Sequence, residues 1–202
     1  MTDQQRGLAR AVRVMDRLRS PGGCPWDAAQ THESLAKYLI EESYEAVDAI
    51  DSGDREHLKE ELGDVLLQVL FHARIASESD DGFDIDDIAD ALCDKLERRH
   101  PHVFSDVTVT GADEVNANWE QIKAAEKQRT GPYDGITWSA PALTVASTAV
   151  RRERRAGEQL AVDGAQPEQQ IAAELLQVVR KAADLGIDPE TALRSALRSA
   201  TA

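Results

Sequence analysis

The stretch from residue 31 to residue 78, THESLAKYLIEESYEAVDAI-DSGD-REHLKEELGDVLLQVLFHARIASE, decides the fold. Thr31 is a helix N-cap, and the pattern behind it runs to about Ile50. Asp51-Ser52-Gly53-Asp54 then breaks it, with Gly53 suited to the left-handed C-terminal position and Asp54 to the next N-cap. A second helix covers residues 55 to 78. So short a gap predicts antiparallel neighbours, an αα-hairpin.

On a wheel of about 100° per residue, Leu35, Leu39, Ala46, Ala49 and Ile50 form the apolar stripe of the first arm. Glu42 falls in the middle of that stripe and Glu45 at its edge beside Tyr38, while Glu41 and Asp48 turn outward. The second arm is apolar nearly all round through Leu58, Leu62, Val65, Leu66, Leu67, Val69, Leu70 and Phe71, the pattern of a buried helix. One polar strip interrupts it: Glu61, Asp64, Gln68 and His72. Both arms therefore present carboxylates at i, i+3 spacing towards the interior. Unpartnered charge there costs several kcal/mol per group, so it calls for protonation, salt bridges or a cation. Arg55 and Lys59 are the local bases, and neither lies on an inner face. Oxygen donors without cysteine, with at most His72 for nitrogen, suit a hard ion such as Mg²⁺ or Mn²⁺.

Outward from the hairpin, the same reading extends to both ends. Leu8, Val12, Met15 and Leu18 recur at helical spacing until Ser20-Pro21-Gly22-Gly23. A helix begins after Asp84 with Ile85, Ile88, Ala89, Leu92 and Leu96 on its inner face and ends at Pro101. Residues 103 to 112 read as a loop, and further helices are expected near 114–128, 141–156, 168–185 and 189–199. The basic run Arg151-Arg152-Glu153-Arg154-Arg155 reads as a solvated helix face. Abundant Ala, Leu, Glu, Arg and Gln with few aromatics agree with an all-α fold.

Within the helix after Asp84, Arg99 falls inside the apolar stripe and Lys95 at its edge, with Arg98 further round. Two cations one turn apart either neutralise the acidic hairpin or hold a metal-bound polyphosphate. Trp26, in a loop, and Trp119, beside Val115 and Ile122, are candidates for stacking on a base; core packing is the ordinary alternative for Trp119. No Walker A loop, GxGxxG or GxSxG is present, so phosphate chemistry here would be metal-driven. A di-iron bundle fails for want of a second ExxH besides Glu97–His100, and an EF-hand at Asp80-Asp81-Gly82 fails because its first and twelfth positions would be Ser77 and Ile88.

The 202 residues carry a formal net charge of −14, which disfavours nucleic acid as a general partner. Cys24 and Cys93 match no zinc or disulfide pattern, no leader is visible in residues 1–13, and no apolar run is long enough for a membrane span. A soluble, cytoplasmic protein is expected.

Taken together, Gly23-Cys24-Pro25-Trp26-Asp27 with Gln30-Thr31, Glu41-Glu42-Ser43-Tyr44-Glu45 followed by Glu61-Leu62-Gly63-Asp64, the run from Lys95 to Phe104 and the run from Asn118 to Lys123 resemble the MazG family of nucleoside triphosphate pyrophosphohydrolases. The resemblance implies an all-α helical bundle built on the acidic hairpin, a homodimer, and Mg²⁺-dependent cleavage of NTPs and dNTPs to monophosphate and pyrophosphate in nucleotide-pool housecleaning. It implies Glu42, Glu45, Glu61 and Asp64 as metal ligands and catalytic groups. Glu41 would orient the attacking water or a second ion. Lys95, Arg98 and Arg99 would hold the triphosphate, with Trp26, Trp119 and Lys123 enclosing the nucleotide. Residues 1–131 would be the catalytic domain. Residues 132–202 resemble the tail of a second such unit, degenerate and non-catalytic: around Ala172-Ala173-Glu174-Leu175-Leu176 its ExxD pair is missing, with Ala where the Asp would be, and no EExxE precedes it. The rival class is a non-catalytic interaction module whose acidic hairpin binds a partner or a structural ion.

Overall fold

The computed structural model describes residues 7–128, 130–162 and 164–201. Among them are ten helices and no strand: α1 (Gly7–Arg19), α2 (Pro25–Ala28), α3 (His32–Ser52), α4 (Arg55–Ala76), α5 (Ile85–Arg99), α6 (Pro101–Phe104), α7 (Ala112–Glu126), α8 (Ala142–Ala156), α9 (Pro167–Asp184) and α10 (Pro189–Thr201). None is long and apolar enough to cross a membrane. Two compact units part at Thr110/Gly111. The helix α7 falls in the second of them.

In the first unit, local chemistry sets the hairpin as its sequence predicts. The Thr31 hydroxyl accepts from Ser34 N–H while the Ser34 hydroxyl accepts from Thr31 N–H, a reciprocal capping box. Gly53 ends α3 at φ 73°, a left-handed conformation that a Cβ would strain. The Asp54 carboxylate then accepts from the N–H groups of Glu56 and His57 to start α4. The core joins Met15 of α1, Leu35 of α3 and Leu70 and Phe71 of α4, with Ile85 of α5 packed against them.

Several expectations are corrected. The helix α4 is not buried all round: Leu62 and Leu66 are exposed, as are Ile40, Tyr44, Val47 and Ile50 on α3. Leu92 and Leu96 of α5 are exposed too. Near the N-terminus, Trp26 lies not in a loop but on α2, a single helical turn opened by Pro25. Gly23 makes the entry possible, since a Cβ there would meet the Leu18 and Arg17 carbonyl oxygens at 2.2 and 2.4 Å.

The second unit packs α8 against α9 through Val150, Leu176 and Val179. Its basic run is not simply a solvated face. Glu153 is buried and accepts from Leu160 N–H at 2.9 Å, with Tyr133 and Arg180 also donating to it. Arg152 donates to the Asp134 carbonyl, Arg154 pairs with Asp184, and Arg155 pairs with Glu120.

Candidate active site

Antiparallel pairing of α3 and α4 sets Glu42 and Glu45 against Glu61. One carboxylate oxygen from each lies within 4.8 Å of the other two. Glu61 is buried, Glu42 half-buried and Glu45 exposed, so the triangle is rooted in the seam and opens to solvent. Burial pushes the Glu42 carboxyl above its usual range, and the neighbouring charges of Asp64, Glu45 and Glu61 push the same way. Asp64 therefore acts on Glu42 electrostatically although it lies outside the triangle. Glu41 is exposed and lies outside it as well.

The donor set suits a hard cation. Three convergent carboxylates, one raised by burial and by its like-charged neighbours, gain on neutralisation by a divalent ion, and all offer oxygen. One local base does reach them: His57 Nε2 lies 3.1 Å from Glu61 Oε1, one turn earlier on α4. This partner is legible in sequence as an i, i+4 pair once histidine is counted among the bases.

Beyond the carboxylates the polar strip of α4 continues as expected through Gln68 and His72. His72 is not part of the triangle. Its ring stacks on His32 at 5.0 Å between centroids, with the two Nδ1 atoms 2.7 Å apart. Burial, then the neighbouring His32, lowers the His72 pKa.

The cations stand on α5, which packs on α4. Lys95 and Arg99 are half-buried and Arg98 is exposed, its guanidinium donating to the Asp94 carbonyl. Trp26 meets Tyr38 and Phe71 edge-on, at 6.2 and 6.3 Å between centroids, yet remains 52% exposed. Its ring is thus braced by the core and presents the rest of its surface outward. Trp119 and Lys123 belong to α7 in the second unit, where the Lys123 ammonium lies 4.5 Å from the Trp119 ring centroid. The two are therefore each other's neighbours.

The profile of the MazG nucleotide pyrophosphohydrolase domain matches residues 30–104. An uncharacterized 26.1 kDa protein of Streptomyces cacaoi is 48% identical over 94% of this chain and 77% of its own length. A Thermotoga maritima protein described as nucleoside triphosphate pyrophosphohydrolase/pyrophosphatase MazG is 41% identical over 93% of this chain and 80% of its own length. Among solved structures, a MazG-related protein of T. maritima is 28% identical, with a TM-score of 0.48, over 57% of this chain and 98% of that one.

Proposed function

The chain belongs to the MazG nucleotide pyrophosphohydrolase family, and on that premise we propose that it hydrolyses nucleoside triphosphates to monophosphate and pyrophosphate with Mg²⁺ or Mn²⁺ held on the hairpin. The convergence of Glu42, Glu45 and Glu61 within 4.8 Å carries the reading. Asp64, which already acts on Glu42, completes the donor set. When bound, the ion supplies charge neutralisation and a water of lowered pKa.

The chain's own residues do the rest. Glu61, rooted in the seam and held by His57, fixes the position of the site. Lys95, Arg98 and Arg99 bind the triphosphate oxygens and stabilise charge as the bond between the α and β phosphates opens. Glu41, on the outward side of Glu42, orients water. Trp26 offers a face to the base, and stacking of that kind discriminates little between bases, which fits nucleotide-pool housecleaning. Residues 1–131 are assigned to catalysis, and 132–202 to a unit that has lost it. A homodimer is part of the same reading: Ile40, Tyr44, Val47 and Ile50 with Leu62 and Leu66 form an exposed apolar face that a second hairpin would cover.

Product analysis by phosphorus NMR tests the reaction. The chain would be incubated with each common ribo- and deoxyribonucleoside triphosphate and Mg²⁺, beside Glu45→Ala and Asp64→Ala. Monophosphate and pyrophosphate from the parent alone is the expected result. Diphosphate and orthophosphate would mean a different bond, and no turnover would favour an interaction module.

A further inference from the structure

Two histidines hold the open end of the hairpin together. His32 is the first residue of α3, and His72 lies one turn before the end of α4. Their rings are parallel to within 3°, with 5.0 Å between centroids and 2.7 Å between the Nδ1 atoms. At those two distances the nitrogens lie on the line joining the ring centres, as a straight hydrogen bond between them requires. Such a bond holds one proton. Two bare nitrogens would set lone pair against lone pair, and two N–H groups would set proton against proton.

The surroundings decide which ring donates. His32 is exposed, and water can accept from its Nε2–H. His72 Nε2 is buried and has no partner among the described residues. Gln68, one turn back, leaves its own buried Oε1 unpartnered, so it accepts nothing from that ring. A proton on His72 Nε2 would be an orphaned buried donor, which folded chains tolerate less often than an unmet acceptor. His72 therefore carries its proton on Nδ1 and donates, and His32 accepts with a bare Nδ1.

An added proton has no good place in this pair. On His32 it fills the accepting Nδ1 and forces the His72 proton onto the buried Nε2. On His72 it goes to that same Nε2. The N-terminus of α3 also opposes a cation at His32. Glu33, beside His32, is the carboxylate that favours one; its own backbone N–H and the Thr31 hydroxyl, then His32, hold its carboxyl below the usual range. Other charges on the helices around this end are engaged elsewhere. Arg19 of α1 pairs with Glu78 and donates to the carbonyl of the buried Asp27 of α2, and Arg74 of α4 pairs with Asp16 and Glu78. Lys37 of α3 lies over the Tyr38 ring, and Asp84 and Asp87 of α5 cap their own helix. On His72, burial acts first and His32 second, and no carboxylate among the described residues acts on it.

We propose that His32 and His72 form a neutral clasp sharing one proton, donated by His72 Nδ1, and that acid below about pH 6 releases it and loosens the open end of the hairpin. The turn at Gly53 closes the other end, so the neutral clasp holds the register of α3 on α4 at both ends. Both histidines are positioning residues, since neither belongs to the carboxylate triangle. The sign follows from His72, whose pKa is lowered on folding. The unfolded chain takes up the proton first, so stability is lost as pH falls below about 6.5.

Nitrogen-15 NMR of the ring nitrogens in the full chain, in chelator, tests the proton's place. At pH 7.5 His72 should show a protonated Nδ1 and a bare Nε2, and His32 the reverse. The Nδ1 proton should disappear from the spectrum below about pH 6. Thermal melts test the release. Between pH 7.5 and 5.5 the parent should lose roughly 3 °C more in melting temperature than His72→Asn, whose amide takes the place of Nδ1 and can turn to donate or to accept. The comparison cancels the carboxyls and the other three histidines, which both proteins share. A proton on His72 Nε2 at pH 7.5 would overturn the proposal. So would a His72 ring already charged at pH 6.5, or equal losses in the parent and His72→Asn. Should His72→Asn fail to fold, the parent spectra decide both points, because a clasp that persists to pH 5 contradicts release. None of these readouts involves hydrolysis, so failure here is distinct from failure of the catalytic reading.

Discussion

His57 Nε2 lies 3.1 Å from Glu61 Oε1, so one corner of the carboxylate triangle has a basic neighbour on its own helix. Glu42, across the seam on α3, is instead raised by burial and then by the like charges of Asp64, Glu45 and Glu61. Two groups proposed for the same ion therefore differ in what they cost the free protein, and their variants should differ accordingly.

Glu42→Gln removes a charge that the fold disfavours. The variant should melt at a slightly higher temperature than the parent in chelator, while turnover falls at least about 100-fold, the loss expected for a group acting on the transition state. Glu61→Gln should lose turnover as severely but gain no stability, since it weakens the bond to His57. Thermal melts and product assays on both proteins check this. A Glu42→Gln protein that melts below the parent would show that the carboxylate has a stabilising partner.

The pH dependence follows with its sign. A carboxyl whose pKa is raised on folding holds its proton more readily in the folded state, so metal-free stability falls as pH rises from the ordinary carboxylate range through the raised pKa. A divalent ion requires the ionised form and reverses the trend. The gain in melting temperature from Mg²⁺ should therefore grow between about pH 4 and about pH 7. A gain that stays flat over that range would count against ligation through Glu42.

Lys95→Ala and Arg99→Ala, each removing a charge-assisted bond worth about 1.5–3 kcal/mol, should raise KM about 10- to 100-fold. Calorimetric binding of Mg²⁺ without nucleotide should stay within about threefold, if these cations serve the phosphates. If Mg²⁺ binding changes as much as KM, the two side chains neutralise the hairpin instead.

Leu35 is 1% exposed and meets Met15, Leu70 and Phe71. Leu35→Ala should cost about 2–5 kcal/mol in denaturant unfolding, the transfer loss plus a cavity. Fluorescence of Trp26, braced on Phe71, offers a local probe alongside circular dichroism. A cost under about 1 kcal/mol would place the hairpin's stability in its exposed faces rather than in this core.

Much of this was legible in the chain because it is local. Thr31, Gly53 and Asp54 announce a helix start, a left-handed stop and a second start, and each does so through bonds spanning no more than three residues. The inward acids follow from periodicity alone. A search for Lys and Arg around the turn of the hairpin finds Arg55 and Lys59 and passes by His57, the base that reaches Glu61. The turn of helix at Trp26 is too short to show a period, so it reads as loop. The all-round apolar pattern of α4 reads as burial, whereas Leu62 and Leu66 are exposed, because a helical period tells which residues share a face and not what covers it.

By itself, then, the sequence determined where the hairpin begins, turns and resumes, and which faces carry acid, because capping and helical period act within a few residues. Only the tertiary structure decided which charges meet. The axial register of α3 against α4, set by the turn at Gly53 and by Leu35 packing with Leu70 and Phe71, brings Glu42, Glu45 and Glu61 together. The same register stacks His32 on His72, forty residues further along. Those meetings depend on distances across the seam, which no local pattern of residues encodes.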